Sequence, residues 1–67
     1  MMGDWVRNIM FPFDWTNEKN RDRLIAYAWE KGFVVEVMNK SEKILIQKYF
    51  KTMDESVKFA KEYMKTH

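Results

Sequence analysis

Sixty-seven residues, 46% of them hydrophobic and 16% aromatic, make one small domain, which buries only about 60% of the surface its unfolded chain exposes. There is no cysteine and one histidine, His67, so disulfides and thiolate zinc sites are excluded and no metal or other cofactor is expected. Twelve basic against ten acidic residues is too even a balance to indicate nucleic acid or an anionic membrane by itself, and no apolar run approaches the roughly 18 residues of a spanning helix.

Residues 1–8 include Asp4 and lack a continuous apolar core, so they do not read as a signal peptide. The expected location is cytoplasmic, the host cytoplasm for a viral chain. Residues 5–15 carry four aromatics, and Ile9, Phe11, Phe13 and Trp15 alternate with Met10, Pro12 and Asp14. Period two predicts a strand, and Pro12, which cannot donate to a ladder, makes it an edge strand or an extended arm.

Thr16 or Asn17 then reads as an N-cap, and Gly32 as the glycine that ends a helix running to about Lys31. On a helical projection Leu24, Ile25, Ala28 and Trp29 share one arc of about 140°. Arg21 falls inside that arc and reads as a snorkelling residue or a clamp for Asp14 or a ligand anion. Residues 33–38 and 44–50, rich in β-branched and aromatic side chains, predict two strands joined by the turn Asn39–Lys43. Pairing Val37 with Ile44 and Val35 with Ile46 puts Phe33, Val35, Val37, Ile44, Ile46 and Phe50 on the core side. Thr52-Met-Asp-Glu55 is a capping-box pattern that opens a helix to about Lys65, with Met53, Val57, Phe59, Ala60, Tyr63 and Met64 as its apolar arc.

The expected fold class is therefore α+β, in the order β-α-β-β-α. A small antiparallel or mixed three-stranded sheet has two helices packed on one face, a ferredoxin-like fragment. The alternative is α-β-β-α with residues 1–15 as an N-terminal arm. Either way residues 1–67 form a single domain, in which 1–15 are edge strand or arm and 16–67 a helix-hairpin-helix core.

None of the GxSxG, HExxH, GxxxxGK or GxGxxG patterns occurs, and neither Ser41 nor Ser56 has an evident base. The chain is read as a binder, not an enzyme. Two surfaces are candidates. With both helices on one side, the other sheet face exposes Val34, Met38, Leu45 and Tyr49, and an apolar patch of that kind marks an interaction site. Together with Trp5, Arg7, Phe11 and Trp15 from the N-terminal segment, these are the expected protein-binding residues, Trp, Tyr and Arg being the usual hot-spot types. The second surface is the hairpin with Lys40, Lys43, Lys48 and Lys51, joined by Arg21 and Arg23, the alternative for nucleic acid.

Asn20-x-x-Arg23-Leu24, Lys31-Gly32-Phe33, Val37 and Phe50-x-Thr52-x-x-Glu55-Ser56 loosely resemble the SPOR peptidoglycan-binding domain over residues 6–62. That resemblance implies a comparable β-α-β-β-α-β order. The chain departs from it in lacking the family's glycine near the end of the first strand and a last strand. Rich in Met, Trp, Phe and Lys and poor in Gly and Pro, the chain is similar in style to many small phage or viral proteins. The expected function is a small non-catalytic interaction module, a phage- or viral-type regulator or inhibitor of a host protein. The partner is another protein or a second copy in a homodimer or larger assembly, with nucleic acid as the alternative.

Overall fold

Six elements follow one another in the computed structural model, which describes residues 3–8 and 13–67. They are β1 (Trp5–Arg7), β2 (Asp14–Asn17), β3 (Arg23–Trp29), β4 (Gly32–Met38), β5 (Ile44–Phe50) and α1 (Met53–Thr66). The strands lie in the order β1-β2-β3-β4-β5, each antiparallel to its neighbours. Helix α1 packs across β3, β4 and β5 on one face and leaves the other face open.

This overturns the expected three-stranded sheet with two helices. The segment read as the first helix is strand β3, so the parallel crossover, the α-β-β-α alternative and the SPOR-like order all fall with it. The physical reason lies in residues 24–29, which satisfy both periods. Leu24, Ala26 and Ala28 alternate with Ile25, Tyr27 and Trp29, and the second set is β-branched or aromatic, the types that suit a pleated surface. Strands on both sides complete the backbone hydrogen bonds that a helix would have made internally.

The capping signal at Asn17 was real chemistry in another setting. Its side-chain oxygen accepts the amides of Lys19 (2.9 Å) and Asn20 (3.1 Å), as an N-cap does. Arg21 then adopts φ 68°, and Asn17 N–H donates to the Asp22 carbonyl, which turns the chain back into β3. Arg21 thus belongs to a turn and not to the apolar arc of a helix.

Gly32 likewise ends no helix. It follows the two-residue connection Glu30-Lys31, pairs with Trp29, and has φ 151°. A Cβ there would lie 2.5 Å from the Phe50 carbonyl oxygen on the neighbouring strand. Both the dihedral and the close approach require glycine.

The β4–β5 hairpin forms as expected but two residues further along. Val37 faces Ile46, Val35 faces Lys48 and Phe33 faces Phe50. A two-residue shift preserves which side chains face the core, so Val35, Val37, Ile46 and Phe50 keep their expected side. An irregularity between Val37 and Met38 sets Ile44 opposite Met38, and Ile44 is exposed instead of buried. The turn is set by Asn39, whose side chain accepts the amides of Ser41 and Lys43, and by Glu42 at φ 66°.

Helix α1 starts as its sequence predicts. Thr52 Oγ1 accepts the Glu55 amide at 3.2 Å, and Asp54 and Glu55 occupy the first turn. Its buried line is Ser56, Ala60 and Met64, with Phe59 and Tyr63 partly covered, whereas Met53 is exposed. Ser56 fits beneath the sheet because it is small and its hydroxyl donates to the Met53 carbonyl at 2.7 Å.

The core is Trp5, Trp15, Leu24, Val35 and Val37 from the sheet against Ala60 and Met64. Trp5 meets Tyr63 edge-on with centroids 6.2 Å apart, and Phe50 meets Phe59 at 5.5 Å. The small Ala26 on the helix side of β3 lets α1 approach closely. Two buried tryptophans supply much of what a disulfide-free chain of this size needs, since burying one large apolar side chain contributes about 1.5–3 kcal/mol.

Candidate interaction face

The side of the sheet away from α1 is built by the strand register alone. One row across β3, β4 and β5 is Tyr27, Val34 and Tyr49; the next is Ile25, Glu36 and Gln47. Trp29 stands at the end of β3 beside the first row, its ring 4.8 Å from that of Tyr49 and tilted by 50°. No helix covers Val34, yet it is only 1% exposed, because the neighbouring side chains close over it. Tyr27, Trp29 and Tyr49 are themselves 43%, 40% and 56% exposed. Leu45 and Ile44 extend the apolar surface along β5.

A polar chain links the two tyrosine hydroxyls. Tyr49 Oη donates to Gln47 Oε1 at 3.1 Å, Gln47 Nε2 donates to Glu36 Oε2, and Tyr27 Oη donates to Glu36 Oε1 at 3.2 Å. Burial, and then the Glu36 carboxylate that its hydroxyl serves, push the Tyr27 phenol above its ordinary range. The phenol therefore stays protonated and keeps donating at neutral pH.

A second network holds β1, β2 and β3 together on the same face. Arg23 grips Asp14 with two bonds, Nε to Oδ1 at 2.9 Å and Nη2 to Oδ2 at 2.5 Å, and Asn8 Nδ2 adds a third at 2.8 Å. Burial of Asp14 favours its neutral form, but the bonds from Arg23 and Asn8 outweigh burial and hold the carboxyl below its usual range. Arg23 is raised correspondingly, chiefly by its bond to Asp14.

Of the expected protein-binding residues, Leu45 and Tyr49 lie exposed on this face, Met38 is half-buried at its far end, and Val34 is its covered floor. Trp5 and Trp15 are not surface anchors. They lie under α1, 6% and 5% exposed, because their position in β1 and β2 faces the helix. Arg7 is exposed on edge strand β1, and Phe11 lies outside the described residues. Tyr27, Trp29 and Glu36 are site residues that the sequence reading does not pick out. The expected helix covers the first two; the alternation Ile25-x-Tyr27-x-Trp29 is the signal that points to them.

The basic residues do not form one surface. Arg21, Lys40 and Lys43 lie in turns at one end of the sheet, but Glu18, Asp22 and Glu42 occupy the same turns. Arg23 is engaged by Asp14, Lys51 follows the opposite end of β5, and Lys48 sits on the helix side with its ammonium 5.2 Å from the Phe59 ring centroid.

Elsewhere, a concavity of about 510 Å³ lies along α1, where Lys58, Lys61 and Lys65 alternate with Asp54 and Glu62 above Phe13 and Val57. Among the described residues no group of three or more His, Asp or Glu side chains is placed to hold a metal ion, and no helix is long and apolar enough to cross a membrane. No protein-family model, curated protein or solved structure matches the chain.

Proposed function

We propose that this chain is a non-catalytic protein-interaction module whose contact surface is the open sheet face centred on Tyr27, Trp29 and Tyr49. The observation that carries this reading is the exposure of three large aromatics side by side on a face the helix leaves uncovered. Aromatic side chains of this kind bring large contact area at low entropic cost and dominate interface energetics. Here they stand on regular strands over a buried valine, so little ordering remains to oppose binding. The module acts by covering a partner surface, as a small regulator or inhibitor does. It works in the cytoplasm, where a chain without cysteine loses nothing to reducing conditions.

Nucleic acid is the weaker reading. The one arginine on the open face is bound to Asp14, and the centre of the face carries the Glu36 carboxylate, which repels phosphate.

The test is affinity capture from nuclease-treated lysate of the source cell, with the wild-type chain beside a Trp29→Ala/Tyr49→Ser variant. A partner held by the wild type and lost by the variant supports the reading. A partner held equally by both refutes it, and capture that disappears with nuclease transfers the function to nucleic acid.

A further inference from the structure

We infer that Tyr27, Trp29 and Tyr49, together with the Glu36 carboxylate, form a recognition site for one cationic side chain of the partner, a guanidinium or a methylated ammonium. The inference rests on the interaction reading and names the chemistry of what docks there.

Glu36 is the starting point. It is 9% exposed, and its two hydrogen bonds come from a phenol and a primary amide, both neutral donors. The ion pairs among the described residues, Arg23–Asp14 and Lys65–Glu62, do not include it. Keeping a carboxylate out of water without a cation is costly. The neighbouring Asp14 shows how this chain solves the same problem when stability alone is at stake, with a bidentate arginine of its own. A carboxylate offers about four acceptor positions, and only two at Glu36 are taken. A cation approaching from the open side therefore finds both free acceptor capacity and an uncompensated charge.

The rings supply the rest. Aromatic faces attract cations held within about 6 Å of the ring centre, tryptophan most strongly. Trp29 and Tyr49 meet at 50° with their centroids 4.8 Å apart, and both are exposed. Tyr27 stands two strands away across Val34, about 10 Å at ordinary strand spacing, so the three exposed rings border one patch over the covered valine, against which a planar or compact cation can lie. The charge of the face selects the same class of ligand. With Arg23 occupied by Asp14, the face offers a carboxylate and no uncommitted arginine, which favours a basic segment over an acidic one.

The experiment titrates the whole chain with N-acetyl-arginine methylamide, N-acetyl-trimethyllysine methylamide and the neutral isostere N-acetyl-citrulline methylamide. Proton–nitrogen correlation spectra follow the Trp29 indole and the Gln47 side-chain amide. Saturable shifts at both groups are expected with at least one of the two cations, and whichever binds tighter identifies the side chain; citrulline should leave them unmoved. Glu36→Gln keeps the size and a hydrogen-bonding partner for Tyr27, and should weaken the cation by about tenfold with the core signals unchanged. No shift with either cation, equal shifts with citrulline, or undiminished binding by Glu36→Gln would each overturn the site. Failure here is separable from failure of the interaction reading. If Glu36→Gln captures the cellular partner as the wild type does while Trp29→Ala/Tyr49→Ser does not, the cation site is wrong and the interaction face stands.

Discussion

Replacing Gly32 with alanine tests the architecture at the point where helix and strand readings differ most. As a glycine just past a helix, its loss would cost about 1 kcal/mol. In the sheet two penalties combine. The backbone sits at φ 151°, where a residue bearing a Cβ is strained by about 1–3 kcal/mol. The new Cβ would also lie 2.5 Å from the Phe50 carbonyl oxygen, whereas ordinary contact begins at 3.4 Å. Relieving that overlap parts the β4–β5 ladder beside the Phe33–Phe50 pair, and Phe50 is itself packed against Phe59 of α1. Together the expected loss is about 4 kcal/mol, a large share of the roughly 3–10 kcal/mol that a chain of this size possesses. Urea titration followed by circular dichroism measures it, and Tm should fall by roughly 15–30 °C. Gly3→Ala is the control, because Gly3 has φ 60° but nothing within 4 Å of its would-be Cβ; its loss should be about 1–2 kcal/mol. Equal losses at the two glycines would refute the close approach of Gly32 to Phe50, and with it this placement of β4 against β5.

Four further outcomes follow from the same structure. Backbone chemical shifts over residues 23–29 should have strand signs throughout, and a helical run there would overturn β3. Leu24→Ala, at a site with no exposure, should lose about 2–5 kcal/mol in the same urea assay, while Tyr49→Ser on the open face, which gives up the ring contact with Trp29, should lose only about 1 kcal/mol. Thr52→Ala should cost about 1 kcal/mol by removing the acceptor for the Glu55 amide, with the loss of ellipticity concentrated at 222 nm (roughly the helical band). Because the folded Asp14 carboxyl titrates below its ordinary 3.8, its contribution is complete above that pH and is lost as pH falls through the depressed value. Asp14→Asn should cost about 2 kcal/mol near neutrality by stripping Arg23 of its partner, and should flatten the acid limb of the stability profile; an acid limb as steep as wild type's would refute the assignment.

The parts of the fold that were legible in the chain are those specified within a few residues. Thr52 and Glu55 set the start of α1, and the β-branched runs on either side of Asn39 marked β4 and β5. The hairpin's inward set survived a two-residue error in pairing because side chains repeat every second position. Residues 16–32 were illegible for a matching reason. Their capping residue, their apolar spacing and their closing glycine each fit a helix, yet Asn17 serves a turn and Gly32 serves a close strand approach. Of the open face, the β4–β5 half was legible through Leu45 and Tyr49. The β3 half, with Tyr27 and Trp29, was hidden by the helical assignment.

By itself the sequence determined that one core must hold this chain together without disulfides, that its last element is a capped amphipathic helix, and that its aromatics exceed what so small an interior can take. Which aromatics go inside was decided only by tertiary structure. Trp5 and Trp15 lie on the side of the sheet that α1 covers; Tyr27 and Trp29 lie on the other, because β3 turns Leu24 and the small Ala26 toward the helix. A side chain's face follows from its strand register, register follows from pairing between distant segments, and the covered face is chosen by where a helix can approach closely. None of these is a property of any short stretch of residues.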